Sequence, residues 1–127
     1  MRAMKASLVM TWLFLACAGT AAQSGANRAT RSVLTQVQLA ATNRTNLYEA
    51  IEKLRPEWLT SRGPTSVTNA EPTVPSVYMN GSMLGRAEYM REMGVLDVTE
   101  VRYWEPGPAS ARFGMGHPRG VIELTRR

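Results

Sequence analysis

Residues 76–86 of this 127-residue chain, SVYMNGSMLGR, contain the strongest local folding signal in the sequence. A short run of strand-forming residues precedes Asn80 and Gly81. The Asn-Gly pair favours a two-residue turn in which both residues take positive φ angles. Met83 and Leu84 can then return antiparallel to the first strand. The stretch therefore predicts a β-hairpin.

Two more strands are predicted after this hairpin. Residues 98–104 (VTEVRYW) form the first, and the sequence EPGP at 105–108 ends it. Residues 109–113 can form one helical turn. The second strand, 121–125 (VIELT), is rich in β-formers.

The last strand has two chemically different sides. Alternation along a strand places Ile122 and Leu124 on one side, and Val121, Glu123 and Thr125 on the other. Because Glu123 is charged, we expect its side to face solvent. Ile122 and Leu124 should then be buried against a helix.

Two helices are predicted. Asn46 has a glutamate three residues later, which is the spacing of a helix N-cap, and apolar residues repeat on one face of Leu47–Leu54. Pro56 should end this helix, because proline disfavours helix at the residue before it. A second helix is expected over 85–94, ended by Gly94 in the left-handed conformation.

These elements indicate an α+β fold, a small mixed sheet with two short helices packed on it. Residues 23–41 are polar and small, and they predict a flexible spacer with room for one strand at 33–39. The folded domain is expected over 42–127.

Residues 1–22 have the three-part layout of a secretory signal. Arg2 and Lys5 precede an uncharged stretch at 6–16, and small residues follow it. A buried N-terminal helix is the alternative. Cleavage after Ala22 removes both basic residues, so that the net charge falls from +5 to +3.

Cys17 lies where the apolar stretch ends, the position of the modified cysteine in a lipoprotein signal. Phe14 and Leu15 depart from that pattern, so plain cleavage is the favoured interpretation and lipid attachment at Cys17 the alternative. A single cysteine excludes an internal disulfide framework, and a single histidine excludes a multi-histidine zinc site.

Three segments carry a family resemblance. They are residues 77–81 (VYMNG), residues 97–114 (DVTEVRYWEPGPASARFG) and residues 120–126 (GVIELTR). In this order and spacing they resemble the plug domain of bacterial TonB-dependent outer-membrane receptors. The helix at Leu47–Leu54 is similar to the family's early helix, but more weakly.

The resemblance implies an exported, non-enzymatic plug-like domain of the bacterial cell envelope that acts by protein or small-ligand binding. The printed sequence ends where the receptor's β-barrel would begin, so we expect a plug standing alone, or a truncated receptor, and no transport. Location in the periplasm or at the periplasmic face of the outer membrane follows, with an outer-membrane or periplasmic protein as partner. No nucleic acid and no cofactor is expected, and membrane contact only by association or lipid anchor. A lipid-anchored protein tethered through Cys17 and a small exported enzyme with an unrecognised site are the alternatives.

The family motif assigns structural roles to a set of turn and loop residues, and we expect no catalytic or metal-binding residue among them. Gly81 supplies a positive φ, Gly107 and Pro108 let the chain leave its strand, and Phe113 anchors the following turn. The full set is Asn80, Gly81, Gly107, Pro108, Ser110, Phe113, Gly114 and Gly120.

Three further groups of residues have side chains suited to other chemistry. Met115 and His117 could bind copper or haem, but an exposed loop histidine is the favoured interpretation. The methionines Met79, Met83, Met90 and Met93 are expected to fill the core. The late arginines could contact nucleic acid or anionic lipid, but a solvated sheet edge is favoured; these are Arg102, Arg112, Arg119, Arg126 and Arg127.

Overall fold

The computed structural model describes residues 30–60 and 73–126. The strands are β1 (Val33–Thr35), β2 (Ser76–Met79), β3 (Ser82–Arg86), β4 (Val98–Trp104) and β5 (Val121–Arg126). The helices include α1 (Gln36–Ala40), α2 (Leu47–Leu54), α3 (Pro56–Leu59) and α4 (Pro106–Phe113), with 3₁₀ helices at Ala87–Glu92 and Val95–Asp97.

The strands form one mixed sheet in the order β1-β4-β5-β2-β3. Neighbouring strands β2 and β5 are parallel, and the other neighbours are antiparallel. Short helices pack on this sheet. The arrangement is the α+β fold that the sequence predicts.

The hairpin of β2 and β3 turns at the predicted residues. Asn80 and Gly81 have φ angles of 49° and 87°, and Met79 pairs with Ser82 across the turn. Positive φ at both central positions is the requirement of the tight hairpin turn that Asn-Gly favours. The hairpin prediction is confirmed.

Helix α2 begins and ends where the sequence predicts. The Asn46 side chain accepts a hydrogen bond from the backbone N–H of Glu49 over 2.9 Å, which satisfies one of the free donors of the first turn. Pro56 starts the separate short helix α3. The buried face of α2 consists of Leu47, Ala50 and Ile51.

The main core lies between the sheet and these helices. Leu34, Val101, Leu124 and Met79 follow one another in register across four strands, and the first three are almost fully buried. Ile122 and Leu124 have no exposed surface and belong to the same core cluster as the buried face of α2. Their predicted burial is confirmed.

The opposite face of the sheet is also covered, which the sequence analysis did not predict. Val121 has no exposed surface and the Glu123 side chain is only 14% exposed, so the expectation that this side of β5 faces solvent is wrong. The physical reason is α4, which lies on this side of the sheet and buries Ala109 completely. We call this side the second face.

The expected spacer at 23–41 differs from the structure over its second part. Residues 33–35 form β1, which pairs with β4, and residues 36–40 form α1. Leu34 and Leu39 are buried in the core, with 1% and 0% of their surface exposed. Strand pairing and these two buried side chains hold the segment on the core, although its composition is that of a flexible terminus.

The second predicted helix is shorter and tighter than expected. Residues 85 and 86 belong to β3, and a 3₁₀ helix covers Ala87–Glu92. The left-handed conformation predicted for Gly94 is wrong, because its φ is −75°. The Gly94 N–H donates to Asp97 Oδ2 over 3.1 Å, which leads the chain into the next 3₁₀ helix.

Candidate functional site

The second face carries a cluster of aromatic rings beneath and beside α4. The Phe113 ring lies 4.5 Å from that of Tyr78 and 6.1 Å from that of Trp104, measured between centroids. The His117 ring meets the Tyr78 ring edge-on at 5.5 Å. These four residues, Tyr78, Trp104, Phe113 and His117, are called the aromatic cluster below.

The register of the sheet positions the polar partners of this cluster. Val33, Arg102, Glu123, Tyr78 and Met83 are successive neighbours across all five strands. Because neighbours in register point to the same side of a sheet, this row places a carboxylate between an arginine and a tyrosine under α4.

Glu123 ties α4 to the sheet. Its Oε2 accepts a hydrogen bond from Trp104 Nε1 over 2.9 Å, and its Oε1 accepts one from Arg112 Nη2 over 3.1 Å. The Arg112 guanidinium also lies 5.0 Å from the Trp104 ring centroid. A hydrogen-bonded ion pair with one shielded partner holds the end of the helix in place.

His117 is held by two hydroxyl groups. Its Nδ1 lies 3.0 Å from Ser76 Oγ and its Nε2 lies 3.2 Å from the Tyr78 hydroxyl. Only 8% of the residue is exposed, so the expectation of an exposed loop histidine is wrong. Strand β2 presents both hydroxyls on the second face, and the loop before β5 folds back onto them.

The Ser76–His117 pair places a hydroxyl beside an imidazole, as a nucleophile and its base are placed in hydrolases. Such a pair is activated by a third group, usually a carboxylate, that orients the imidazole. Here the second ring nitrogen faces the Tyr78 hydroxyl. The arrangement therefore fastens the loop 114–120 to the sheet.

Copper binding through Met115 and His117 is not supported by the geometry. Both ring nitrogens of His117 are engaged with hydroxyls, while Met115 is 94% exposed. Within residues 30–60 and 73–126 there is no group of three His, Cys, Asp or Glu side chains that could hold a metal ion.

The arginines expected to cluster are largely engaged within the fold. Arg102 pairs with Glu100 over 3.1 Å, and Arg112 with Glu123. Arg119 donates to the carbonyl oxygen of Thr60. Arg127 lies outside the described residues, as do Cys17 and the signal segment.

Most of the motif residues lie in α4 or at the ends of the loop 114–120 that follows it. Gly107 and Pro108 lie in the first turn of α4, and the Ser110 hydroxyl donates to the Pro106 carbonyl oxygen over 2.8 Å. Gly114 has a φ of 89° and Gly120 one of 79°. A Cβ at Gly120 would overlap the Trp104 carbonyl oxygen, so this position requires glycine for close approach.

A groove beside α2 is another candidate site for a small ligand. It measures about 340 Å³ and is lined by Arg44, Glu49, Glu52 and Lys53. Ligand pockets are usually concave and mostly apolar, with few polar groups. Four long charged side chains do not supply that environment, and the groove carries no argument for ligand binding.

Two apolar side chains remain exposed at the margin of the aromatic cluster. Met83, the neighbour of Tyr78 in register, is 58% exposed, so the expectation that it fills the core is wrong. Met115 is 94% exposed. Within the described ranges, no helix has the length and apolar character needed to cross a membrane.

No protein-family model, no curated protein and no solved structure matches this chain. The resemblance to receptor plug domains therefore rests on the three segments quoted above, and the function that it implies is a proposal.

Proposed function

We propose that this chain is an exported, plug-like domain of the bacterial cell envelope that acts by contact with another protein. The observation that carries the proposal is the second face. There α4 and the loop 114–120 are fastened to the sheet by internal hydrogen bonds, while Met83 and Met115 stay exposed beside the aromatic cluster.

The polar groups of the cluster are used to hold the structure. Glu123 accepts from Trp104 and Arg112, and His117 is bonded to Ser76 and Tyr78. A reaction centre would leave a nucleophile, acid or base directed at a substrate. The arrangement supports a rigid binding surface better than an enzyme.

The partner that fits the proposal is an outer-membrane or periplasmic protein, in connection with an outer-membrane receptor system. The choice of this partner rests on the signal-like segment 1–22 and on the plug-like motifs. Protein contact is preferred to small-ligand binding because the second face offers exposed apolar side chains, whereas the groove at Glu49 and Lys53 is solvent-open and charged.

In-cell photo-crosslinking tests the proposal. The full chain is produced in a bacterial host with a photoreactive phenylalanine in place of Met83, and in a second strain in place of Leu96. Leu96 is the matched control, because it is 76% exposed but belongs to the 3₁₀ helix that contacts α1.

We expect the chain in the envelope fraction and a discrete adduct from position 83, identified by mass spectrometry as an envelope protein. Retention in the cytoplasm with Met1 in place would contradict export. Equal adducts from positions 83 and 96 would contradict the assignment of the contact to the second face.

A further inference from the structure

We propose that Asn80 is a site of spontaneous chemical modification, at which the backbone nitrogen of Gly81 attacks the side-chain amide and converts it to a carboxylate. The inference is independent of the proposed function, because it concerns the chemistry of the hairpin turn alone. Asn80-Gly81 is the only Asn-Gly pair in the sequence. The turn thus carries a change of charge and shape that requires no enzyme.

The reaction closes a ring between two neighbouring residues. A base in solution removes the proton of the Gly81 N–H, and the nitrogen forms a bond to Asn80 Cγ. The Cγ–Nδ2 bond breaks, and the leaving nitrogen takes up a proton from water and departs as ammonia. Water then opens the cyclic imide. Addition at Cγ gives aspartate, whereas addition at the Asn80 backbone carbonyl gives isoaspartate, in which the main chain runs through the former side chain.

The attacking nitrogen is accessible in the folded protein. Asn80 and Gly81 are both exposed. In a two-residue hairpin turn the ladder bonds belong to the flanking residues, here Met79 and Ser82. Within the described residues the Gly81 N–H has no hydrogen-bond partner, so its proton is open to a base in solution. A Cβ on Gly81 would meet no atom within 4 Å, so nothing crowds the nitrogen.

The amide that is attacked is held and polarised by β5. Asn80 N–H donates to the Leu124 carbonyl oxygen over 3.1 Å, and Asn80 Oδ1 accepts a hydrogen bond from the Arg126 N–H over 3.3 Å. A donor on a carbonyl oxygen stabilises the negative charge that develops there when a nucleophile adds to the carbonyl carbon. The end of β5 therefore supplies a donor that favours the reaction at Asn80.

Asn43 provides a matched comparison within the same chain. It is exposed, and its φ of 55° is close to the 49° of Asn80. The residue after it is Arg44, whose side chain hinders the approach of the backbone nitrogen to the amide. Asn43 thus shares the exposure and the backbone conformation of Asn80 but lacks the following glycine, and we expect it to remain an amide.

The two products have different effects on the turn. Aspartate keeps a side-chain oxygen that can accept from the Arg126 N–H, and it tolerates a positive φ, so the hairpin is retained. Isoaspartate lengthens the main chain between Met79 and Ser82. Because turn type and loop length fix the register of a hairpin, this product should loosen the turn and release the Arg126 N–H. Both products add a negative charge to the tip of the hairpin.

Peptide mapping of the aged full chain by mass spectrometry tests the inference. The native protein is kept at mildly alkaline pH, and fragment ions report the mass change from amide to acid at each asparagine. We expect Asn80 to convert at a rate that rises with pH, whereas Asn43 stays an amide. An Asn80 amide that persists in the native protein but converts in urea would overturn the inference, as would equal conversion at Asn43.

The assistance from β5 has its own readout. Arg126→Pro removes the N–H that bonds to Asn80 Oδ1, and Arg126→Ala is the matched control, because it removes the guanidinium and keeps the N–H. In the native state Asn80 should convert several-fold more slowly in Arg126→Pro than in Arg126→Ala, and in urea the two rates should be equal. Equal native rates would overturn the role of the β5 donor. The wild-type measurement needs no variant, so the inference stays testable if Arg126→Pro unfolds.

Hydrogen exchange separates the effects of the two products. Asn80→Asp supplies the aspartate form directly, and the isoaspartate form is identified in aged protein by enzymatic methylation of its carboxyl group. The Arg126 amide should exchange in Asn80→Asp as slowly as in the wild type, and faster in the isoaspartate form. Equal exchange in all three would overturn the effect assigned to the lengthened turn.

Discussion

Trp104 and Glu123 are joined across neighbouring strands by a hydrogen bond of 2.9 Å from the indole Nε1 to Oε2. Glu123 lies in the middle of β5, and its other oxygen binds Arg112 of α4. One carboxylate thus connects two strands and a helix. Its side chain is only 14% exposed, although its charge alone suggests a solvent-exposed position.

Glu123→Ala should therefore lower the free energy of unfolding by about 1–3 kcal/mol, because it leaves the indole N–H of a half-buried tryptophan without its acceptor. Urea denaturation measures the change. Glu100→Ala is the control: its pair with Arg102 is exposed, and such pairs contribute about 1 kcal/mol or less. Equal losses in the two variants would contradict the role of Glu123.

Ile122→Ala and Leu124→Ala should each cost about 2–5 kcal/mol, as buried large-to-small changes do. Both residues have no exposed surface. Since domains of this size hold about 5–15 kcal/mol in total, the melting temperature should fall clearly in each case. A loss below about 1 kcal/mol at either position would place that side chain outside the core.

Gly120→Ala should be strongly destabilising, whereas Gly107→Ala should cost much less. Gly120 has a φ of 79° and its added Cβ would overlap the Trp104 carbonyl oxygen. Gly107 lies in the first turn of α4 with open space around it, so an added Cβ meets only the mild restriction that the following Pro108 imposes on a helical residue. Thermal unfolding of the two variants measures this difference in stability. Equal falls in melting temperature would be inconsistent with the close approach at Gly120.

His117→Ala should cost about 1–3 kcal/mol, because two hydroxyls lose their partner and the loop 114–120 loses its attachment. Met115→Ala, in the same loop, should stay within about 0.5 kcal/mol of the wild type. Guanidinium denaturation of both variants checks this. A neutral His117→Ala would mean that the ring does not fasten the loop.

The sequence predicts the structure correctly where the deciding residues lie close together in the chain. Asn80 and Gly81 specify the hairpin through their φ preferences, and Asn46 specifies the start of α2 through its cap. Alternation along β5 correctly identified Ile122 and Leu124 as core residues. Each of these depends on residues within a few positions of one another.

The remaining features depend on contacts between distant segments. Glu123 is largely buried because α4 packs on the second face. The sequence of α4, PGPASARF at 106–113, has no apolar periodicity that would predict this packing. The environment of His117 is set by Ser76 and Tyr78, about forty residues earlier in the chain. The pairing of β1 with β4 joins residues 33–35 to residues 100–102, and a strand of three residues does not indicate which strand it pairs with.

Export is tested by the intact mass of the chain recovered from the envelope. The charged start and the apolar stretch 6–16 predict cleavage, with the mature N-terminus between residues 17 and 23. An added mass lost in Cys17→Ala would identify the lipid-anchored form. Recovery of the uncleaved chain from the cytoplasm alone would contradict export.

The most direct test of the account is removal of β5, because every proposal for the second face requires this strand inside the sheet. It lies between β4 and β2 and is in register with both. A chain ending at Gly120 should show no cooperative urea transition and no native near-ultraviolet circular dichroism, whereas deletion of residues 1–29 should preserve both. A truncated chain as stable as the full one would show that the terminal strand is no part of the core, and the plug-like interpretation would fail with it.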